Sequence, residues 1–180
     1  MDKYLKVFQR CGEVFFNMFI THVPSHAVRR GYLKLWGATI GPKTYILRGT
    51  SILAIDKLVI GEHSNVGFRC MLDARGGLTI GDRVVIASDT HFISGRHLMN
   101  EPGFDIELLP IVVEDYVWIT SRVTVLLDVT IGRGAVIASN ACVTSDVEPL
   151  TVAAGIPAKP IGQRKESALE YDPAWFPLFY

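Results

Sequence analysis

From residue 40 onward, aliphatic side chains return every six residues. They fall at Ile40, Ile46 and Ile52, at Ile60, Val66 and Leu72, at Ile80, Ile86 and Phe92, and again at Val113, Ile119, Val125, Ile131, Ile137 and Val143. A small or β-branched residue recurs in the fifth slot of the blocks: Thr44, Thr50, Ser64, Cys70, Val84, Thr90, Val117, Val123, Val129, Ala135, Ala141 and Val147. A helix cannot hold a face on this period, because about 3.6 residues per turn smears it around the cylinder within a few turns. An ordinary hairpin strand would alternate every two residues. A short strand followed by a corner does fit. Three blocks make one triangular coil: the first residue of each points into the prism, the small one fits beside the corner, and a Gly or Asp after the aliphatic residue tolerates the turn. The pattern therefore predicts an all-β chain, a parallel β-helix of stacked coils over 37–162, whose two ends need caps. Residues 1–36 and 163–180 are the available caps.

Two coil junctions, Ile52 to Ile60 and Leu72 to Ile80, take eight residues, and one break is far longer. The coil that starts at Ile80 should hand over near residues 98–100, yet the repeat resumes only at Val113. Between them lies "SGRHLMNEPGFDIELLP" (94–110), a segment extruded from the prism, and long insertions in compact domains are usually functional. The N-terminal segment has a different period. Leu5, Phe8, Phe15, Met18 and Phe19 stand near helical spacing, which predicts a helix either packed as a cap on the β-helix or lying in a membrane interface. Its apolar run "VFFNMFI" is too short to span a bilayer, and His22, Pro24, His26 and Arg29 follow where a signal peptide would carry a cleavage site.

The 180 residues fit one domain large enough to bury a core without staples. Eighteen Lys and Arg balance eighteen Asp and Glu, with no like-charge run, so nucleic acid is excluded as a partner. Cys11, Cys70 and Cys142 are odd in number and widely spaced, which disfavours a disulfide framework or a zinc site and points to a reducing, cytoplasmic setting.

The repeat resembles the hexapeptide signature of the left-handed β-helix acyltransferases. "LDARGGLTIGD" (72–82), "PIVVEDYVWIT" (110–120) and "VAAGIPAKPIG" (152–162) look like the sugar and capsular polysaccharide O-acetyltransferases within it. The resemblance implies a left-handed parallel β-helix with an extruded loop, an N-terminal helical cap and a short C-terminal tail. It also implies an acetyl-CoA-dependent O-acetyltransferase acting on a sugar or glycan hydroxyl, a homotrimer, and no metal. In such enzymes the loop carries a histidine base, which an ungapped alignment of "IASDTHFISGRH" puts at His97. The resemblance assigns the oxyanion-binding amide to Ser121, and the CoA groove to Trp118, Ser121, Ser139, Thr144 and Lys159. Asp73, His91 and Glu101 are candidates for the acceptor side.

The chemistry wants a histidine, since imidazole is the side chain best matched to removing a hydroxyl proton near neutral pH. No cysteine sits in a nucleophile context. Leu98 follows His97 where the family often has an acid, so Glu101 and Asp73 are candidates to orient the imidazole. Ser145 replaces a common lysine, which gives Lys159 or Arg164 the role of the missing cation. Plainer readings stand beside these: Asp73 as a corner residue, His63 as a solvated strand residue, Cys70 as a core filler, and the N-terminal segment as a packed cap, whose sharper alternative is peripheral contact with the inner membrane face. Two rival functions are a zinc-dependent carbonic anhydrase-like protein using His63, His91 and His97, and a non-catalytic assembly protein.

Overall fold

The computed structural model describes residues 3–173. Helix α1 (Lys3–Met18), a short 3-10 turn (Ile20–His22) and helix α2 (His26–Leu35) precede a parallel β-helix with three faces. The first face stacks Thr39–Ile40, Leu58–Ile60, Leu78–Ile80, Ile111–Val113 and Val129–Ile131. The second stacks Tyr45–Ile46, Asn65–Val66, Val85–Ile86, Trp118–Ile119, Val136–Ile137 and Thr151–Ala154, and the last of these pairs antiparallel with Lys159–Gln163. The third stacks Ser51–Leu53, Met71–Asp73, His91–Ile93, Thr124–Leu126 and Cys142–Val143.

The six-residue period becomes three buried columns. Ile40, Ile60, Ile80, Val113 and Ile131 lie in register on the first face, Ile46, Val66, Ile86, Ile119 and Ile137 on the second, and Ile52, Leu72, Phe92, Val125 and Val143 on the third. Every one is buried, and each contributes about 1.5–3 kcal/mol of transfer free energy. The polar members of the fifth slot are buried as well, and their hydroxyls donate to a carbonyl one coil on. Thr44 bonds Gly61 O at 2.5 Å, Thr50 bonds Gly67 O at 3.0 Å and Ser64 bonds Gly81 O at 2.8 Å. A small residue is required there because the hydroxyl must reach the next coil without leaving the corner.

The turn itself is not where the sequence pattern suggested. Left-handed backbone falls in the fourth slot, at Lys43, His63, Arg69, Arg83, Asp89, Tyr116, Arg122 and Asn140. The second-slot glycines answer to close approach instead: a Cβ on Gly41 would lie 2.5 Å from Glu62 N, and one on Gly81 would lie 2.3 Å from Asp115 Oδ1. Asp82 and Asp115 use that proximity, each accepting a backbone N–H of the preceding coil, Glu62 at 2.7 Å and Asp82 at 2.8 Å.

The cap is helical, but it packs by other residues than its apolar spacing predicts. Asn17 pairs with the open edge of strand Ser51–Leu53, donating to Ile52 O and accepting from Ile52 N at 2.9 Å each. Glu13 accepts the Ala54 amide at 2.6 Å, and Thr21 donates to Thr50 O at 2.7 Å. Buried Arg29 donates to Ile46 O at 2.8 Å and to Val23 O. Of the apolar residues of α1, Phe16 is fully buried, whereas Phe8, Phe15 and Met18, with Phe19 just after the helix, are exposed. An unpaired strand edge needs hydrogen-bonding partners more than it needs apolar cover, and that requirement sets the helix rotation. At the far end Leu169 is buried and Tyr171 donates to Tyr116 O at 3.1 Å, while residues 174–180 of the expected tail lie outside the described residues.

Candidate active site

The interruption of the repeat is a β-hairpin. Gly95–His97 and Ile106–Leu108 pair antiparallel, with Gly95 opposite Leu108, Arg96 opposite Glu107 and His97 opposite Ile106. Arg96 Nε donates to Glu107 Oε2 across the pair at 2.7 Å. Buried Ser94 roots the hairpin in the coil below. Its Oγ accepts the Gly76 amide at 3.0 Å, its carbonyl accepts the Leu109 amide at 3.0 Å, and its own amide donates to Asp73 Oδ2 at 3.2 Å.

Asp73 is buried at the centre of this root. Arg75 donates to it through Nε at 2.8 Å and Nη2 at 2.9 Å, and through its backbone amide at 3.1 Å. Burial pushes the carboxyl up, but the hydrogen bonds and charge of Arg75 and the bond from Ser94 outweigh it and hold Asp73 below the usual carboxylate range. The expectation that Asp73 binds an acceptor hydroxyl is therefore corrected. Both of its oxygens are committed within the chain, and the half-exposed Arg75 is the member of the pair that faces solvent.

His97 is exposed, and its Nδ1 lies 2.8 Å from the Phe104 carbonyl oxygen. A carbonyl only accepts, so Nδ1 is the donor, and in the neutral imidazole the lone pair is on Nε2. The imidazole also stacks on the Phe104 ring, with centroids 4.3 Å apart and planes 10° from parallel. Phe104 holds its carbonyl in place from left-handed backbone, φ +46°, unusual for a bulky residue and stabilised by the bond from its amide to Glu101 O at 2.9 Å. A backbone carbonyl thus orients the imidazole, in place of the carboxylate expected from Glu101 or Asp73. Glu101 shares a shallow cleft of about 330 Å³ with His97 on residues 96–101. Replacing Phe104 by alanine keeps the carbonyl and removes the stacked ring. The expected cost is about two- to tenfold in kcat/KM, from roughly 0.5–1.5 kcal/mol of lost stacking, read from initial rates.

The other candidates divide by location. His91 is exposed on the third face, in register with Met71 and Thr124. His63 is a corner residue, φ +55°, with Nδ1 2.8 Å from Asp172 Oδ1; it anchors the tail and is not a solvated strand residue. Trp118 stands 46% exposed on the second face in register with Val85 and Val136. Ser121 and Ser139 occupy the corner between the second and third faces in consecutive coils, joined by the Asn140 amide on Ser121 O at 3.1 Å and by Ser139 Oγ on Thr120 Oγ1 at 3.0 Å. Thr144 is exposed just beyond Cys142–Val143, and Lys159 is exposed opposite Ala154. Arg164 is corrected as a stand-in for the missing cation: its Nη1 donates to Tyr116 O at 3.0 Å and Gly134 O at 3.3 Å, and its guanidinium covers Tyr171. Among the described residues no three His, Cys, Asp or Glu side chains converge as metal ligands. Within one chain the Ser121 corner joins the second and third faces, whereas the His97 hairpin leaves at the corner between the third and first.

Phe104, Ser94 and Arg75 had no sequence signal as site residues beyond their place in or beside the interruption. No family model matches the chain. The chain is 33% identical over 135 residues to the Escherichia coli protein named as a colanic acid biosynthesis acetyltransferase, WcaF, spanning 75% of this chain and 74% of that one. It is 30% identical over 146 residues to the Escherichia coli galactoside O-acetyltransferase, spanning 79% and 72%. The chain belongs to the hexapeptide-repeat acetyltransferase family. Its fold also matches a hexapeptide-repeat acetyltransferase of Vibrio cholerae, with TM-score 0.78 and 25% identity over 91% of this chain and 93% of that one. A galactoside acetyltransferase in complex with coenzyme A matches with TM-score 0.80 and 24% identity over 95% and 88%.

Proposed function

We propose that the chain transfers an acetyl group from acetyl-CoA to a hydroxyl of a sugar or glycan intermediate, with His97 as general base. The observation that carries this reading is the bond from His97 Nδ1–H to the Phe104 carbonyl, which leaves Nε2 as the basic nitrogen on an exposed hairpin. His97 accepts the hydroxyl proton as the oxygen attacks the thioester carbonyl and the C–O bond forms. The Ser121 amide is assigned to the developing oxyanion. As the C–S bond breaks, the imidazolium returns its proton to the departing thiolate, so no acyl-enzyme forms and the base is regenerated. Cys70 is unsuited to covalent catalysis, since burial pushes its thiol up to about 11.

On the donor side, Trp118, Ser139, Thr144 and Lys159 offer an aromatic face, hydroxyls and a cation to coenzyme A. The complexes of related proteins with coenzyme A and with acetyl coenzyme A support that donor. On the acceptor side, Glu101 and His91 remain the candidate contacts, and the names of WcaF and the galactoside enzyme support a sugar and a role in polysaccharide biosynthesis. His97 and Ser121 stand at different corners of one prism, which favours a homotrimer with the site between subunits. The setting proposed is cytoplasmic.

The test is calorimetric titration with acetyl-CoA, followed by a screen of nucleotide sugars, free sugars and lipid-linked glycans with thiol detection. Saturable binding and acceptor-dependent thiol release are expected. Absence of acetyl-CoA binding would overturn the reading in favour of an assembly protein. About one zinc per chain, with activity lost to a chelator, would overturn it in favour of a carbonic anhydrase-like enzyme.

A further inference from the structure

Among its described side chains, helix α1 buries a single large apolar one, Phe16, and presents a second apolar side to the outside. Beside Phe16 the inner side is small or polar and engaged: Gly12 lies under the Trp36 ring, Glu13 accepts the Ala54 amide, and Asn17 makes two bonds to Ile52. These bonds to an open strand edge fix the helix rotation, so the apolar side cannot turn inward without orphaning them. That outward side carries Val7, Phe8, Val14, Phe15, Met18 and Phe19, each 48–62% exposed. Val7, Cys11, Val14, Phe15, Met18 and Phe19 line an open groove of about 370 Å³ with Arg10 beside it. A contiguous apolar surface of this kind marks a contact site.

Charge selects the occupant. Residues 1–36 hold six basic residues against Asp2 and Glu13; Glu13 is committed to Ala54 and Arg29 is buried on the Ile46 and Val23 carbonyls, which leaves five basic residues against Asp2. The remaining chain, 37–180, holds twelve basic and sixteen acidic residues, so a neutral protein is polarised with its positive end at the cap. A second copy docked helix to helix would bring two basic caps together. An anionic lipid surface would meet both the apolar side chains and the positive charge. Among the described residues no helix is long and apolar enough to cross a membrane, so the contact is one of lying on the surface.

We infer that the outer face of α1 docks the protein on an anionic bilayer through Phe15, Met18 and Phe19, with basic cap residues at the headgroups. The inference is independent of the catalytic assignment. It is tested by flotation of the full chain with phosphatidylcholine vesicles containing about 30% phosphatidylglycerol, against pure phosphatidylcholine. The wild type is expected to float with the anionic vesicles and to be released in part by high salt. The double variant Phe15→Glu/Phe19→Glu should lose at least about tenfold in bound fraction, and Arg10→Glu several-fold, with unchanged circular dichroism and unchanged mass by light scattering. The inference is overturned if the wild type fails to float, or if the double variant floats equally well. It is also overturned if the double variant changes the particle mass, because the face would then be a contact between copies of this chain.

Discussion

Turnover of the His97→Ala variant is expected to fall about 10²- to 10⁴-fold, the usual worth of a general base, with little change in acetyl-CoA affinity. The hairpin is held by backbone pairing from Gly95 to Leu108 and by the Ser94 root, none of which involves the imidazole. Of the proposed donor residues, Trp118 lies on the second face and Ser121 and Ser139 at the corner beyond it, away from the corner that carries the hairpin. The loss should therefore appear in kcat and kcat/KM together, as for an interaction made in the transition state. His97→Asn is the stricter variant, since its side-chain amide can still donate toward the Phe104 carbonyl but has no basic nitrogen; it should be as inactive as the alanine. Recovery of activity in His97→Asn would mean that the side chain works by hydrogen bonding alone.

The second large effect is expected at Asp73, which acts on the chemistry through position. Asp73→Ala removes the acceptor for Ser94 N and for Arg75, and so loosens the joint between the second coil and the hairpin. A displacement of the base by about 1 Å costs on the order of 10²-fold in rate, and losing charge-assisted bonds at a buried site costs about 1–3 kcal/mol per group left unpaired. Lower kcat with nearly unchanged acetyl-CoA affinity, together with a lower Tm, is the expected pattern; wild-type kcat at lowered Tm would mean that the root does not position His97. The sign with pH follows from the depressed carboxyl. The ion pair contributes its full stability above the unfolded-state value of about 4 and loses it as pH falls through the lower folded-state value. The difference in Tm between wild type and Asp73→Ala should therefore be constant near neutrality and shrink only in strong acid.

The columns of the prism were legible because a six-residue period has one physical solution, and Ile40, Ile60 and Ile80 needed no structure to be assigned to one face. The break after Phe92 was legible for the same reason, as a failure of phase. What stands inside the break was not. Three residues on each side are too few to declare a hairpin, and the partner that orients His97 is a backbone carbonyl, which has no residue identity to read. Asp73 was visible as a site candidate, but its pairing with Arg75 two residues on and with Ser94 across the coil depends on the corner geometry. His63 and Asp172, 109 residues apart, meet only because the tail folds back along the prism. The rotation of α1 was hidden because helical spacing is the same whether the apolar side faces in or out, and the hydrogen-bonding need of the Ser51–Leu53 edge decided it.

The most direct test of the central claim is the turnover of His97→Ala and His91→Ala measured side by side with the same acceptor, together with the acetyl-CoA affinity of each. The two histidines lie on one stretch of chain, but His91 belongs to the third face and His97 to the hairpin. The account predicts a loss of at least about 10²-fold for His97→Ala, a clearly smaller loss for His91→Ala, and acetyl-CoA affinity near wild type in both. If His97→Ala keeps more than about a third of wild-type turnover while His91→Ala abolishes it, the base is His91 and the assignment built on the hairpin is wrong.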